Sequence, residues 1–303
     1  MQFDLTNIPN QNDKIAMITG ASSGLGQAVA CSLAQIGCTA VLACRSLEKA
    51  EQAKHNMMQA LPHAAIDTLS IDLSAMDSVR SAAATFKKQY SRLDILVNNA
   101  GIMYPSFTLT SDGFESQLAT NSLGHFLLTA LLIDAMPDQS SSRITWVSSL
   151  AHRTGKIHFK DLHMVSNYSK AAAYSQSKLA CLMYTIELDR RLKMAGKKII
   201  SNAAHPGAVR SNLSRNMSPW LMTALEYTLL PLITHSTQSG SVPILQASLS
   251  LESPGGQYYG PQGFFELKGP SGLAKIAKQA LNKAHLIKLW QVSESLTGAH
   301  FDL

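Results

Sequence analysis

"TGASSGLG", residues 19–26, closes a short apolar run, "KIAMIT" (14–19), and opens a helix over 23–37. Gly20, Gly24 and Gly26 stand four and two residues apart. This is not the G-x-G-x-x-G order, but the physics is shared. Glycines let the backbone turn sharply and approach a pyrophosphate, and a helix N-terminus offers free N–H groups and the positive end of its dipole to phosphates. After the first strand of a chain, such a turn reads as a dinucleotide cradle. The plainer alternative is an ordinary Gly/Ser strand-to-helix turn.

Outward from this turn, short apolar runs alternate with longer helical ones. "TAVLAC" (39–44), "IDTLSI" (66–71), "DILVN" (94–98), "RITWV" (143–147) and "KIISNAA" (198–204) read as strands. Helices are expected over 47–61, 76–90, 115–136 and 174–195, and a last helix–strand pair at 237–250 and "QYYG" (257–260). The strands are continuous apolar runs, as strands buried on both faces should be. The alternation predicts an α/β fold with a doubly wound parallel sheet of about seven strands and helices on both faces. No repeat or linker-like composition divides the 303 residues, so one domain over 1–303 is expected. Two irregular regions, 150–172 and 206–236, interrupt the alternation where such a sheet carries its site.

Hydrophobic residues make up 46% of the chain and charged residues 15%, which excludes a disordered chain. The net charge of +6 (26 basic less 20 acidic) is scattered. A cluster of Lys275, Lys278, Lys283 and Lys288 reads as a solvated helix face, with contact to an anionic membrane surface as the other reading. No aromatic-rich basic groove points to a nucleic-acid partner. Cys31, Cys38, Cys44 and Cys181 lack metal-site spacing, and the three near the start read as small buried hydrophobes. The N-terminal "MQFDLTNIPNQNDK" lacks the apolar stretch of a signal peptide. "FLLTALLI" (126–133) is too short to span a membrane, and the uncharged region 227–251 is broken by Pro, Ser, Thr and Gln. No integral membrane segment and a cytoplasmic setting are therefore expected.

The second strand decides which dinucleotide is expected. An acidic residue at its end would bind the ribose 2′-hydroxyl. Here the strand ends "LACRS", with Arg45 at the corner and no carboxylate before Glu48. A guanidinium pairs with a 2′-phosphate where a carboxylate would repel it. NADP(H) is therefore expected over NAD(H), with Ser46 as a second donor; the alternative is a surface arginine at a sheet edge. Asp72, ending the third strand in "SIDLS", can accept from the adenine amino group, with Leu73 beside it.

"AAAYSQSKLA", residues 171–180, sets Tyr174 and Lys178 on one helix face, one turn apart. One such pair arises by chance easily enough, so it gains weight only from other parts of a site in the right order.

Those parts are present. With "TGASSGLG", "NNAG" (98–101), "TNSLGHF" (120–126), "VSS" (147–149), "YSQSK" (174–178) and "HPGAVRS" (205–211) in this order, the chain resembles the short-chain dehydrogenase/reductase family. "NSLGHFLLT", "SSLAHRTGKIHF" and "SKLACLMYTIEL" are similar to its retinol-dehydrogenase-like branch, and "YYGPQGFFELKG" with "LWQVSESLTG" to soluble bacterial members of that branch. The resemblance implies a Rossmann-type single domain. It implies that Ser22, Ser23 and Leu25 join Gly20, Gly24 and Gly26 around the phosphates. Asn99, Ala100 and Gly101 would sit under the adenine-side ribose. Pro206, Gly207, Val209 and Ser211 would orient the nicotinamide amide, and Asn121, Ser149, Tyr174 and Lys178 match the catalytic tetrad. Side chains alternate across a strand, so one of Ser148 and Ser149 faces the site; the family pattern selects Ser149.

In that tetrad Tyr174 would be the general acid in carbonyl reduction and the base in alcohol oxidation. A phenol titrates near pH 10. An ammonium at ~4 Å, with an effective dielectric of ~20, attracts the phenolate by about 4 kcal/mol, enough to lower the phenol by 2 to 3 units. Lys178 would supply that attraction and hold the nicotinamide ribose. Ser149 would donate to the substrate oxygen, and Asn121 would hold a water passing protons outward from Lys178; a buried helix Asn bonded to backbone is the plain alternative. His125 and His205 read as structural. Leu179, Leu182, Met183 and Ile186 repeat at core spacing.

The apolar stretch "MSPWLMTALEYTLLPLI" (217–233) lies within an expected substrate lid over about 212–236, followed by a C-terminal extension over about 261–303. Trp220, Leu221, Leu225, Tyr227, Leu229 and Leu230 would line a pocket for a bulky apolar aldehyde or ketone; packing on the core or on a second subunit is the alternative. A homo-oligomer is compatible with the sequence. Two rival readings share the scaffold: an NADPH-binding regulator without turnover, and a light-dependent tetrapyrrole reductase.

Overall fold

The computed structural model describes residues 3–209 and 235–303. The expected lid as far as residue 234, with its six pocket residues, and Ser211 lie outside the described residues.

Eight strands form one sheet in the order β3-β2-β1-β4-β5-β6-β7-β8. They are β1 (Ile15–Thr19), β2 (Thr39–Cys44), β3 (Ile66–Ser70), β4 (Ile95–Asn98), β5 (Arg143–Val147), β6 (Ile200–Ala204), β7 (Tyr258–Pro261) and β8 (Ser271–Leu273). Seven run parallel, and β8 pairs antiparallel with β7. The eighth strand goes beyond the sequence expectation because its three residues, Ser-Gly-Leu, carry no β-branched signal.

Seven longer helices flank the sheet among the described residues. They are α1 (Gly24–Gln35), α2 (Leu47–Ala60), α3 (Met76–Gln89), α4 (Ser116–Ala135), α5 (Lys170–Met194), α6 (Thr237–Leu249) and α7 (Lys283–Thr297). Polar side chains set their starts. Ser46 Oγ accepts from the Lys49 N–H, Ser236 Oγ from Ser239, and Asn282 Oδ1 from His285. The buried Glu115 carboxylate takes the N–H groups of Gln117 and Leu118 at 2.9 and 2.8 Å. Helix α5 begins at Lys170, four residues before the expected 174, because Ser169 caps it.

Alternation along the strands sends side chains to two cores. Met17, Leu96 and Trp146 join Phe126, Tyr184 and Trp290 on one face; Ile18, Leu42 and Val97 join Val29 and Ile244 on the other. Phe126 meets Tyr184, Trp290 and Phe301 at ring separations of 4.7, 4.8 and 5.0 Å, which seats the C-terminal helix on α4 and α5.

Two sequence expectations need correction. Helix α4 is long and apolar enough, by length and composition, to cross a membrane, although 78% of its apolar window is buried inside the domain. The short apolar run counted from sequence missed it because the helix continues in both directions. The four lysines do not share one helix face: Lys275 lies in a loop, Lys278 in a 3-10 turn, and Lys283 and Lys288 on α7.

The strand order reverses beside β1, whose neighbours are β2 and β4. Such a switch point leaves a crevice beyond the carboxyl ends of the strands. The segments after β1, β4, β5 and β6 carry residues 20–26, 99–101, 148–149 and 205–209.

Candidate active site

The glycine turn is built for close approach. Gly20 and Gly24 adopt φ +68° and +60°, where a side chain is strained. A Cβ on Gly26 would lie 2.5 Å from the Gly20 carbonyl oxygen and 2.6 Å from Asn99 Nδ2. The space beside Gly24 is open, and neither a side-chain cap nor an acidic residue occupies the start of α1. The first amides of α1 are therefore free for an anion. Ser23 is exposed, and Ser22 hydrogen-bonds the buried Cys44 thiol. Arg45 is exposed at the end of β2 and enters none of the described ion pairs. Ser46 is half-buried as the cap of α2. Asp72 Oδ1 accepts from Ser74 N–H and Oγ at 2.9 and 2.6 Å, and the Leu73 side chain sits in the core. This set of uncapped helix amides, glycines and an exposed guanidinium fits a dinucleotide.

Thr19, which sequence reading passed over as a strand end, is the hub beneath that turn. Its Oγ1 accepts the N–H groups of Asn99 and Ala100, both at 2.9 Å, and Asn99 Nδ2 donates back to the Thr19 carbonyl at 2.7 Å. Asn99 and Ala100 therefore brace the glycine turn. Oγ1 also meets His125 Nε2 at 2.8 Å, while His125 Nδ1 lies 3.0 Å from the Asn121 carbonyl. A carbonyl can only accept, so Nδ1 carries the proton and Nε2 accepts from Thr19. Burial holds His125 neutral, its pKa pushed down to about 3.

Tyr174 and Lys178 are both buried on α5, 7% and 5% exposed. The Tyr174 phenol hydrogen-bonds the Ser149 hydroxyl. Ser148 turns the other way, its Oγ donating to the Lys178 carbonyl at 2.7 Å. Lys178 Nζ donates to the Val147 carbonyl at 2.9 Å and stands 6.0 Å from the Tyr174 ring centroid. A Cβ on Gly101 would lie 3.3 Å from that ammonium and 3.2 Å from Asn121 Oδ1.

The expected lowering of the phenol by Lys178 does not occur in the chain by itself. Burial pushes the Tyr174 pKa up to about 12, and the opposing influence is the Ser149 hydrogen bond. Burial also pushes the Lys178 ammonium below its ordinary value. The i,i+4 spacing gave the shared face but not the direction of the ammonium.

Asn121 sits in a π-turn, Ala119–Leu123, within α4; such turns recur at functional sites. Its side chain is fully engaged, accepting from Ile102 N–H at 2.8 Å and donating to Ile102 O and Ser177 Oγ at 3.0 and 2.9 Å. Its carbonyl accepts from Cys181 Sγ at 3.1 Å as well as from His125. This side chain braces the 99–102 loop, the bonding expected of the plain alternative, a buried helix Asn tied to backbone.

After β6, Gly207 turns with φ +72°, and a Cβ there would run into the Leu267 carbonyl. Val209, Leu25 and Pro206 all converge on Gly240, bringing the segment after β6 against the start of α1. His205 accepts from Gly207 N–H at 3.2 Å through Nδ1, which leaves Nε2 to donate to Glu266 at 3.1 Å.

Further residues were missed because their partners are remote in sequence. His152 Nδ1 donates to the Ser149 carbonyl at 2.7 Å, and its Nε2 accepts from Ala277 N–H at 3.4 Å. Tyr258 donates to the same Ser149 carbonyl at 3.3 Å. Gln279 Nε2 reaches the carbonyls of His152, Arg153 and Gly155 at 3.1, 2.9 and 3.2 Å. Tyr104 stacks edge-on against Tyr174 at 5.5 Å and 81°. Its φ of +61° is strained for an aromatic residue and costs about 1–3 kcal/mol.

Residues 14–222 match the family model for short chain dehydrogenase. The chain belongs to the short-chain dehydrogenase family. As a short-chain dehydrogenase it is an oxidoreductase of CH–OH and C=O groups, a family that uses a nicotinamide cofactor. The chain is 36% identical over 298 residues to retinol dehydrogenase 14 of Mus musculus, covering 94% of this chain and 86% of that protein. It is 37% identical over 291 residues to retinol dehydrogenase 13 of Homo sapiens, covering 94% and 85%. Among solved structures, a protein from Mycobacterium Paratuberculosis superimposes with a TM-score of 0.83 at 36% identity over the whole of both chains. A short chain dehydrogenase from Burkholderia cenocepacia in complex with NADP shares the fold, with a TM-score of 0.64 at 22% identity over 82% of this chain and 96% of that one.

Proposed function

We propose that this short-chain dehydrogenase is NADP(H)-dependent and interconverts a bulky apolar aldehyde or ketone with its alcohol, Tyr174 being the general acid and base. The observation that carries the reading is the Tyr174–Ser149 hydroxyl pair at the carboxyl end of β5, beside Lys178. Arg45, exposed and in none of the described ion pairs, favours a 2′-phosphate. The names of the retinol dehydrogenase relatives favour an apolar substrate.

Gly20, Gly24, Gly26 and the first amides of α1 would hold a dinucleotide, whose chemistry would supply or take up the hydride at the carbonyl carbon. In reduction, Tyr174 gives its phenolic proton to the carbonyl oxygen, so carbon gains the electron pair and oxygen the proton. Ser149 donates to that oxygen as negative charge grows there. Lys178 holds the end of β5 through the Val147 carbonyl and so fixes the phenol relative to Ser149. The free amides of α1 hold the phosphates. The domain works in the cytoplasm, its long apolar helix buried as core; fractionation of expressing cells tests that placement. The activity is tested by following nicotinamide absorbance with NADPH and a panel of aldehydes and ketones. Turnover with wild type and its loss in Tyr174→Phe is the expected result; dinucleotide binding with no turnover of any carbonyl or alcohol refutes it.

A further inference from the structure

We propose that Tyr104 is a specificity-determining residue: its ring is the wall that sets how bulky a substituent the carbonyl carbon can carry. The inference rests on the reading above, in which the substrate oxygen lies at the Tyr174 and Ser149 hydroxyls. The Tyr104 ring stands near-perpendicular to the Tyr174 ring at 5.5 Å and 81°, so a group held at that phenol has the Tyr104 ring as a neighbour. Tyr104 is half-buried and belongs to neither hydrophobic core, so core packing does not account for its placement.

Its backbone is held in the left-handed region, which a tyrosine adopts only when its surroundings impose it. The imposing contact is specific. Tyr104 N–H donates to Gln117 Oε1 at 3.0 Å. Gln117 is wholly buried, and its Nε2 donates to the Tyr168 hydroxyl and to the Lys170 carbonyl, each at 3.0 Å. Lys170 is the first residue of the helix that carries Tyr174. One buried amide therefore ties Tyr104 to the helix of the phenol it flanks. A strained aromatic fixed relative to the acid, with part of its surface open, is placed to touch the apolar substituent of the substrate.

The test is a ladder of carbonyls of increasing bulk, from short linear aldehydes to branched and aryl ketones. For each, kcat and KM are measured with NADPH for wild type, Tyr104→Phe, Tyr104→Ala and Tyr104→Gly. Tyr104→Phe should keep the wild-type ladder. Tyr104→Ala should change the ratio of kcat/KM between the bulkiest and smallest substrates by tenfold or more, chiefly through KM, with dinucleotide Kd within twofold of wild type. Tyr104→Gly should give the same shift while raising Tm, because it removes the backbone strain with the ring. A merely structural residue would lower every rung alike. An active Tyr104→Ala whose ratio stays within twofold of wild type overturns the proposal; should that variant not fold, Tyr104→Leu reads the same ratio. Wild type that binds NADPH and reduces no rung overturns the reductase reading itself, and the wall with it.

Discussion

The Lys178 ammonium is bound to the Val147 carbonyl at 2.9 Å, one strand residue before the serine pair, rather than to the phenol of Tyr174. The lysine thus ties helix α5 to the end of β5, fixing the phenol and the Ser149 hydroxyl relative to each other. In the chain by itself that phenol stays protonated far above neutrality, its pKa raised by burial to about 12. The acid needed for reduction is therefore present throughout the ordinary pH range, while the base needed for oxidation is scarce.

The pH dependence follows with opposite signs in the two directions. Reduction should be flat between pH 6 and 8, because the protonated phenol is the working form and none is lost. Alcohol oxidation should climb by up to about tenfold per pH unit over the same range, because the phenolate fraction does. Tyr174→Phe should lose about 10²–10⁴ in kcat in both directions, with dinucleotide affinity unchanged by fluorescence titration. Oxidation that does not respond to pH between 6 and 8 would remove Tyr174 from the role of base.

Arg45 is the lever for the dinucleotide. Arg45→Asp should weaken NADPH and spare or improve NADH, shifting the ratio of the two Kd values by about 10–100-fold toward NADH, since a charge-assisted pair becomes a repulsion. Isothermal titration with both dinucleotides checks it. An unchanged ratio would return Arg45 to an ordinary surface position.

Gly26→Ala tests the cradle. The added methyl would press on the Gly20 carbonyl and Asn99 Nδ2, so the turn and its brace must shift. Overpacking of this kind costs about 1–3 kcal/mol. The variant should melt at lower urea and lose at least tenfold in dinucleotide affinity, whereas Ala at Gly196, where the space is open although φ is +71°, should cost stability without affecting affinity.

How much of this was legible in the chain varies with distance along it. The glycines of residues 20–26 announced a backbone requirement, and the apolar runs announced buried parallel strands, because both signals are local. Tyr174 and Lys178 announced a shared helix face. The direction of the lysine was hidden, because its acceptor Val147 lies 31 residues away on another element. The π-turn at Asn121 leaves no mark on apolar spacing. Thr19 meets His125 across 106 residues, and His152 meets Ala277 across 125. Such partners are set by topology, and only the folded chain reveals them.

Two of those remote histidines fix the acid limit of stability. His125 and His152 are held neutral by burial, with pKa values pushed down to about 3 and about 4. Both are lowered relative to an unfolded value near 6.5. The unfolded chain therefore binds more protons below pH 6.5, and stability falls as pH drops from 6.5 toward 4 and then 3. The loss is on the order of 3–5 kcal/mol per histidine if the whole window is crossed. Urea midpoints measured from pH 7 to 4 should decline, and more shallowly in His152→Gln from its own lower starting point. A midpoint independent of pH over that range would contradict the buried neutral state.

The order of the strands carries a consequence for how the molecule is made. After β1, β2 and β3 have paired, every later strand from β4 to β8 adds to the same growing edge in the order in which it leaves the ribosome. The clasp on the Ser149 carbonyl arrives later than the strands it joins, because Tyr258 and the Ala277 amide that secures His152 follow Ser149 by more than 100 residues. A nascent chain can thus have its nucleotide cradle assembled while its reacting groups are still loose, and competence for turnover waits until residues 258–277 have been made.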